Sequence, residues 1–182
     1  QAERLWERER AEAIVARCEG KEGVIEETTR PTKQIAPLLY HLTSLQREAN
    51  GRFGYSARRT LQIAQALYEK FKVLTYPRTD SRHLPEDYIG TVKSTIKGFS
   101  QPSSKSGGFP SDLRAHCSRI IDRDWVRPNR RIFDGSKVSD HFAIIPTGQT
   151  PPAGMGEAES KVFDMVARRF LAVFFPPAEF DV

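Results

Sequence analysis

The chain has 182 residues, 28% charged and 38% hydrophobic, a balance suited to a folded core and not to a disordered segment. Its net charge of +5 and pI of about 9.4 permit a nucleic-acid partner without requiring one. Two cysteines, Cys18 and Cys117, with no Cys-x-x-Cys pair, exclude a zinc ribbon and argue against a disulfide framework.

Residues 3–17 read as a first helix, with Leu5, Trp6, Ala13 and Ile14 among charges, ended by the Gly20 and Gly23 turn. Residues 24–29 have a β-like composition, and residues 32–40 read as extended because Pro37 opposes a helix. Thr43 and Gln46 fit a capping box at the head of a second helix that ends near Asn50-Gly51. Ser56 then caps a third helix, to about Lys70, with Leu61, Ala64, Leu67 and Phe71 as its stripe. Two short helices about a glycine turn resemble a helix-turn-helix. Arg58 and Arg59 fall in the first turn of the second of these, where the helix dipole disfavours cations. Two readings stand: solvated arginines, or arginines that answer to phosphate.

Residues 73–76 read as strand-like. Pro85 suits the first position of a helix that runs to about Gly98, with Tyr88, Val92 and Ile96 facing inward. Residues 100–110 are a Ser/Gly/Pro loop, residues 113–121 a short helix, and residues 123–131 an arginine-rich loop. Within that loop Trp125 either stacks on a base or anchors the loop to the core. Residues 138–146 hold His141 ahead of a buried apolar run, and residues 157–175 form the longest helix, stopped by Pro176-Pro177. The most apolar run, 170–175, is far too short to span a bilayer, and the charged N-terminus carries no signal-peptide pattern. The chain opens without Met and reads as a piece of a longer protein. Residues 41–60 hold four arginines and one acid, and residues 114–131 six arginines and two acids. The basic excess therefore flanks the middle of the chain.

Residues 74–81 read Leu-Thr-Tyr-Pro-Arg-Thr-Asp-Ser. Pro77 fixes its own φ and pushes Tyr76 towards extended geometry, in which Tyr76 and Arg78 project to one side. A phenol beside a forked, permanent cation suits nucleophilic attack on phosphorus, with the guanidinium holding the phosphate. On composition alone, Tyr76 would be a packing residue. The octapeptide, however, resembles the active-site tyrosine motif of the type IA DNA topoisomerases, in the form seen in bacterial topoisomerase III. The resemblance continues through Leu45-Gln46-Arg47-Glu48-Ala49-Asn50, Ala64-Gln65-Ala66-Leu67-Tyr68-Glu69, Leu84-Pro85-Glu86-Asp87-Tyr88, and Ser139-Asp140-His141-Phe142-Ala143-Ile144-Ile145-Pro146-Thr147. It covers nearly the whole chain.

The resemblance implies that Tyr76 attacks a phosphodiester of single-stranded DNA and becomes joined to the 5′ phosphate. The 3′ hydroxyl leaves and later reseals the strand without ATP. It implies that Arg78 stabilises the scissile phosphate, and that His141 lies at the active site near that phosphate. Residues expected on DNA are Arg58, Arg59, Thr79, Ser81, Arg130 and Arg131. Many topoisomerase III sequences carry a second histidine where this chain has Phe142. The resemblance implies that magnesium is bound through acidic residues of a separate Toprim domain, expected to lie outside this segment. The one Asp-x-Asp here, Asp122-Arg123-Asp124, has no glutamate-bearing glycine loop before it and is not taken as a metal site. The expectations are therefore Mg2+ in the full-length enzyme with no metal held by this segment, and single-stranded DNA and the missing Toprim and other domains as partners. A monomer in the bacterial cytoplasm, with no membrane contact, is expected.

The expected fold class is mainly α with small β elements (α+β), a helix-turn-helix or winged-helix-like tyrosine domain of the type IA arch. Residues 1–42 would be a strand-bearing part of the arch, 43–146 the tyrosine-bearing gate domain, and 147–182 a connector and a helix returning to the enzyme body. The rival is a non-catalytic helix-turn-helix-like DNA-binding module in which Tyr76 is structural. A tyrosine recombinase fits less well, because the arginine and histidine spacing that such chemistry needs is not evident.

Overall fold

The computed structural model describes residues 4–101, 109–152 and 154–181. Most of the loop predicted over residues 100–110, and the predicted start of the first helix at Glu3, lie outside the described residues. The chain divides into two units, residues 1–32 with 180–182, and residues 33–179.

In the first unit, α1 spans Arg8–Cys18 and buries none of its residues. It closes where the Glu19 N–H donates to the Val15 carbonyl, and Gly20 turns the chain at φ +73°. The predicted β piece at 24–29 is irregular, with Val24 and Ile25 fully exposed. β-branched composition makes a strand only where a neighbouring strand can take up its N–H and C=O groups. The one sheet among the described residues pairs β1 (Pro31–Gln34) with β2 (Ala178–Asp181).

The second unit holds the core. α2 (Leu42–Phe53) and α3 (Ala57–Glu69) are joined by three residues, two helices about a glycine turn as expected from sequence. Gly54 takes the left-handed conformation, φ 68°, that closes α2, and its N–H donates to the Asn50 carbonyl. Ser56 caps α3 by accepting from the Arg59 N–H. The predicted capping box is displaced: His41, not Thr43, is the N-cap, and the Ser44 hydroxyl accepts the His41 N–H at 3.1 Å. The helix after Pro85 begins as a 3₁₀ turn over Glu86–Tyr88 and continues as α4 (Ile89–Ser100). α5 (Ser111–Asp122) packs on α4, and α6 (Glu157–Ala172) packs on α3 and α5. Leu67 of α3 and Val162, Phe163, Val166 and Phe170 of α6 are at most 1% exposed. Each such side chain contributes about 1.5–3 kcal/mol by leaving water.

A partly buried ion pair fixes the approach to α2. Arg169 of α6 is bonded to Glu48, donates to the Leu38 carbonyl at 3.1 Å, and lies 4.4 Å over the Tyr40 ring. Arg52 completes the set, 2.7 Å from Glu48. Burial and the neighbouring Glu48 carboxylate push the Tyr40 phenol well above its usual range.

No strand forms at 73–76 or 138–146. Single bridges join the segments instead: Tyr40 with Ile144 and Leu74 with Pro146 antiparallel, Leu84 with Phe133 parallel. Residues 143–147 thus lie between 40 and 73–75, held by Ile144 N–H to the Tyr40 carbonyl (2.8 Å), Thr75 N–H to Ile145 (3.0 Å) and Thr147 N–H to Val73 (3.0 Å). No helix among the described residues is long and apolar enough to cross a membrane.

Candidate active site around Tyr76

The bridge between Leu74 and Pro146 sets the register that brings Tyr76 to His141. Thr75 reinforces it: its hydroxyl donates to the Ala143 carbonyl at 3.1 Å and accepts the Ile145 N–H at 2.9 Å. Two residues before Ala143, the His141 ring lies 4.2 Å from the Tyr76 ring, tilted 42°. Tyr68, on the last turns of α3, also meets the Tyr76 ring, edge-on at 5.4 Å. Tyr76 is half-buried and Pro77 is buried.

Arg78 is exposed, and no hydrogen bond or ion pair engages it among the described residues. With His141 it lines an open pocket of about 450 Å³, whose other walls are Leu42 and Thr43 at the head of α2, Thr79, Asp80, Ser139 and Asp140. Tyr76 itself adjoins the pocket through His141. A phenol against an imidazole, with that imidazole and an unpaired guanidinium lining one pocket, is a group set that can attack a phosphodiester and hold its charge.

The loop after Arg78 is held by hydroxyls. Thr79 is 7% exposed; its Oγ1 donates to the His141 carbonyl at 2.8 Å and accepts the Ser81 N–H at 3.1 Å. Ser81, 5% exposed, donates to the Lys137 carbonyl at 2.8 Å and accepts the His83 N–H at 3.1 Å. The Thr79 carbonyl accepts the Leu42 N–H at 3.0 Å, which fastens α2 to the loop. The hydroxyl protons of Thr79 and Ser81, two residues expected on DNA, go to the His141 and Lys137 carbonyls. Asp80 is exposed and accepts from Ser139 Oγ at 3.0 Å.

The remaining expected DNA contacts lie apart from Tyr76 in sequence. Arg58 is exposed on the first turn of α3 and unpaired among the described residues. The Arg59 guanidinium stands 4.3 Å over the Tyr55 ring, a cation–π contact that accounts for a cation at the wrong end of a helix. Arg130 is exposed, whereas Arg131 is half-buried and bonded to the Ala36 carbonyl, so it serves as a tie. Trp125 packs on Phe175 at 4.9 Å and anchors its loop. Phe142, at the position of the second histidine, packs 4.7 Å from Tyr88. Asp124, of the Asp-x-Asp, ends in an ion pair with Lys93 at 2.7 Å that holds its carboxyl below the usual range. Among the described residues no three His, Cys, Asp or Glu side chains come together as a metal-ligand group.

Sequence reasoning missed His41 and Arg82. Arg82 Nε donates to His41 Nδ1 at 3.1 Å. The pairing spans 41 positions, and no local pattern in the sequence signals it.

Comparison with known proteins decides the family. A model described as DNA topoisomerase matches residues 1–182. The chain belongs to that family. DNA topoisomerase 3 of Bacillus cereus is 41% identical over 180 residues, 98% of this chain and 23% of the relative. DNA topoisomerase 3 of Bacillus licheniformis is 43% identical over 171 residues, 92% of this chain and 22% of the relative. Full-length topoisomerase I from Thermotoga maritima shares the fold, with a TM-score of 0.58 at 22% identity over 94% of this chain and 26% of that one. This is a bacterial topoisomerase III-like segment, spanning 22–23% of the length of these two curated relatives. The helical architecture with its small sheet is thus a topoisomerase architecture.

Proposed function

We propose that this segment carries the nucleophile of a type IA DNA topoisomerase. The observation that carries the reading is the Tyr76 ring against His141 at 4.2 Å, with His141 and the unpaired Arg78 lining one pocket. The Tyr76 oxygen attacks a phosphorus of single-stranded DNA, the O3′–P bond breaks, and the 3′ oxygen leaves with a proton. The new ester joins Tyr76 to the 5′ phosphate. The 3′ hydroxyl then attacks that phosphorus and releases the tyrosine. One phosphoester is exchanged for another, so no ATP is consumed. Arg78 holds the charge of the pentavalent phosphorus in both directions, and His141 orients the phenol and lies at the phosphate.

Residues 43–146 act as the gate that carries the broken end, 1–42 as part of the arch, with a winged-helix-like character in the gate, and 147–182 as a connector. Magnesium is held by a Toprim domain outside this chain, and no step above runs through it. The setting is the bacterial cytoplasm, with the segment as part of a monomeric enzyme acting in strand passage.

The test supplies an active Toprim domain and magnesium to the segment with labelled single-stranded DNA, then quenches with denaturant. The expected result is a covalent adduct that disappears in Tyr76→Phe. An adduct that survives this change removes Tyr76 from the chemistry. DNA binding with no adduct favours a non-catalytic module built on α2 and α3.

A further inference from the structure

The corner beside the pocket holds positive charge that the chain itself does not neutralise. Arg82 is exposed, and its guanidinium rests on an imidazole, not a carboxylate: Nε donates to His41 Nδ1 at 3.1 Å, and a terminal nitrogen lies 3.5 Å from Nε2. Ser44 Oγ, 2.7 Å from Nδ1, steadies the ring. Arg47, on the first turns of α2, is exposed and has no hydrogen bond or ion pair among the described residues. The groups whose charges reach His41 are Arg82, Arg47 and Asp80. Asp80 is the only acid of the set, and it faces the pocket with Arg78.

The choice of partner matters. A carboxylate at position 41 would fix Arg82 equally well and cancel its charge. A neutral imidazole fixes the guanidinium and leaves both its charge and its outer N–H donors available. Burial, then the charges of Arg82 and Arg47, hold His41 below its usual range, which keeps the ring in the acceptor form near neutral pH. The Leu42 N–H bond to the Thr79 carbonyl, 3.0 Å, brings this corner to the edge of the Arg78–His141 pocket.

We propose that Arg82, seated on His41 and backed by Arg47, is a second phosphate-binding position for the DNA strand, next to the one at Arg78 and His141. It takes a phosphodiester flanking the one that reacts, and so fixes the strand's path across the head of α2. The inference rests on the reading of Tyr76 as acting on DNA.

The test measures binding of a fluorescent single-stranded oligonucleotide to the 182-residue chain by anisotropy across a salt series, for the unaltered chain, Arg82→Ala, Arg82→Lys, His41→Asp and Arg78→Ala. Because Arg82 is exposed, its variants should keep the fold, which circular dichroism checks. Arg82→Ala should weaken binding about five- to tenfold and flatten the slope of log K against log salt by about 0.7, the loss of one phosphate contact. Arg82→Lys should recover part of the affinity, and His41→Asp should weaken binding although Arg82 is intact. A single methylphosphonate that costs the unaltered chain affinity should cost Arg82→Ala nothing, at a different linkage from the one tied to Arg78. If Arg78→Ala weakens binding while Arg82→Ala keeps both affinity and slope, this inference falls and the reading of Tyr76 stands. If the unaltered chain binds no oligonucleotide at low salt, both fall.

Discussion

Thr79→Val isolates the hydroxyl that joins the tyrosine loop to the histidine loop. Valine matches threonine in shape, so packing is kept and only the hydroxyl is lost. Two bonds go: Oγ1 to the His141 carbonyl at 2.8 Å, and the Ser81 N–H to Oγ1 at 3.1 Å. The Ser81 N–H is buried and would be left without an acceptor, at a cost of about 1–3 kcal/mol; the part-buried His141 carbonyl adds about 0.5–1.5 kcal/mol. The sum is about 1.5–4.5 kcal/mol. Urea unfolding followed by the fluorescence of Trp125, which packs on Phe175, reads this directly. Thr79→Ser keeps both bonds and should lose no more than about 1 kcal/mol. A Thr79→Val chain within about 0.5 kcal/mol of the unaltered one, or a serine variant as unstable as the valine one, would refute the reasoning.

Three further outcomes are expected. Burial, with Arg82 and Arg47, depresses His41, and burial, with Lys137 and Arg82, depresses His83, both below the usual 6.5. The unfolded chain then binds protons that the folded chain refuses, so stability is full above about 6.5 and declines as pH falls below it. The melting temperature should drop between pH 7.5 and 5, and His41→Asn should flatten that profile. Arg169→Ala takes from Glu48 the more buried of its two arginine partners, Arg52 remaining, and leaves the Leu38 carbonyl without its donor, in a site where the Arg169 and Glu48 side chains are 17% and 22% exposed. It should cost about 2–3 kcal/mol by urea unfolding, below the value for a fully buried pair, with Arg169→Lys intermediate. Cys18 is exposed, whereas burial pushes the Cys117 thiol up to about 12. A thiol reagent should therefore modify Cys18 rapidly and Cys117 only on unfolding.

The helices were legible because their signals are local. The stripe Ala64-Leu67 and the cap Ser56 give α3, and Val162, Phe163, Val166 and Phe170 give α6. The ends shifted where a tertiary contact competes with a local one. α2 starts at Leu42, ahead of the Thr43–Gln46 box, because the Leu42 N–H bonds the Thr79 carbonyl and Ser44 takes the His41 N–H. Residues 24–29 had the composition of a strand and no partner among the described residues to make one. At the candidate site, the choice of Tyr76, Arg78 and His141 was legible only as a resemblance, through the octapeptide and the run around His141. The fastening was not: Thr79 to His141 spans 62 positions, Ser81 to Lys137 spans 56, and Arg82 to His41 spans 41, and no periodicity encodes such pairs.

The most direct test of the central claim is to identify the atom that carries the DNA. The covalent complex, formed with magnesium and a Toprim domain, is digested with nuclease and protease and its peptides sequenced by mass spectrometry. The account predicts a nucleotide 5′ phosphate esterified to Tyr76, in the peptide bearing Thr-Tyr-Pro-Arg. A nucleotide on any other residue, Tyr68 included, would contradict it.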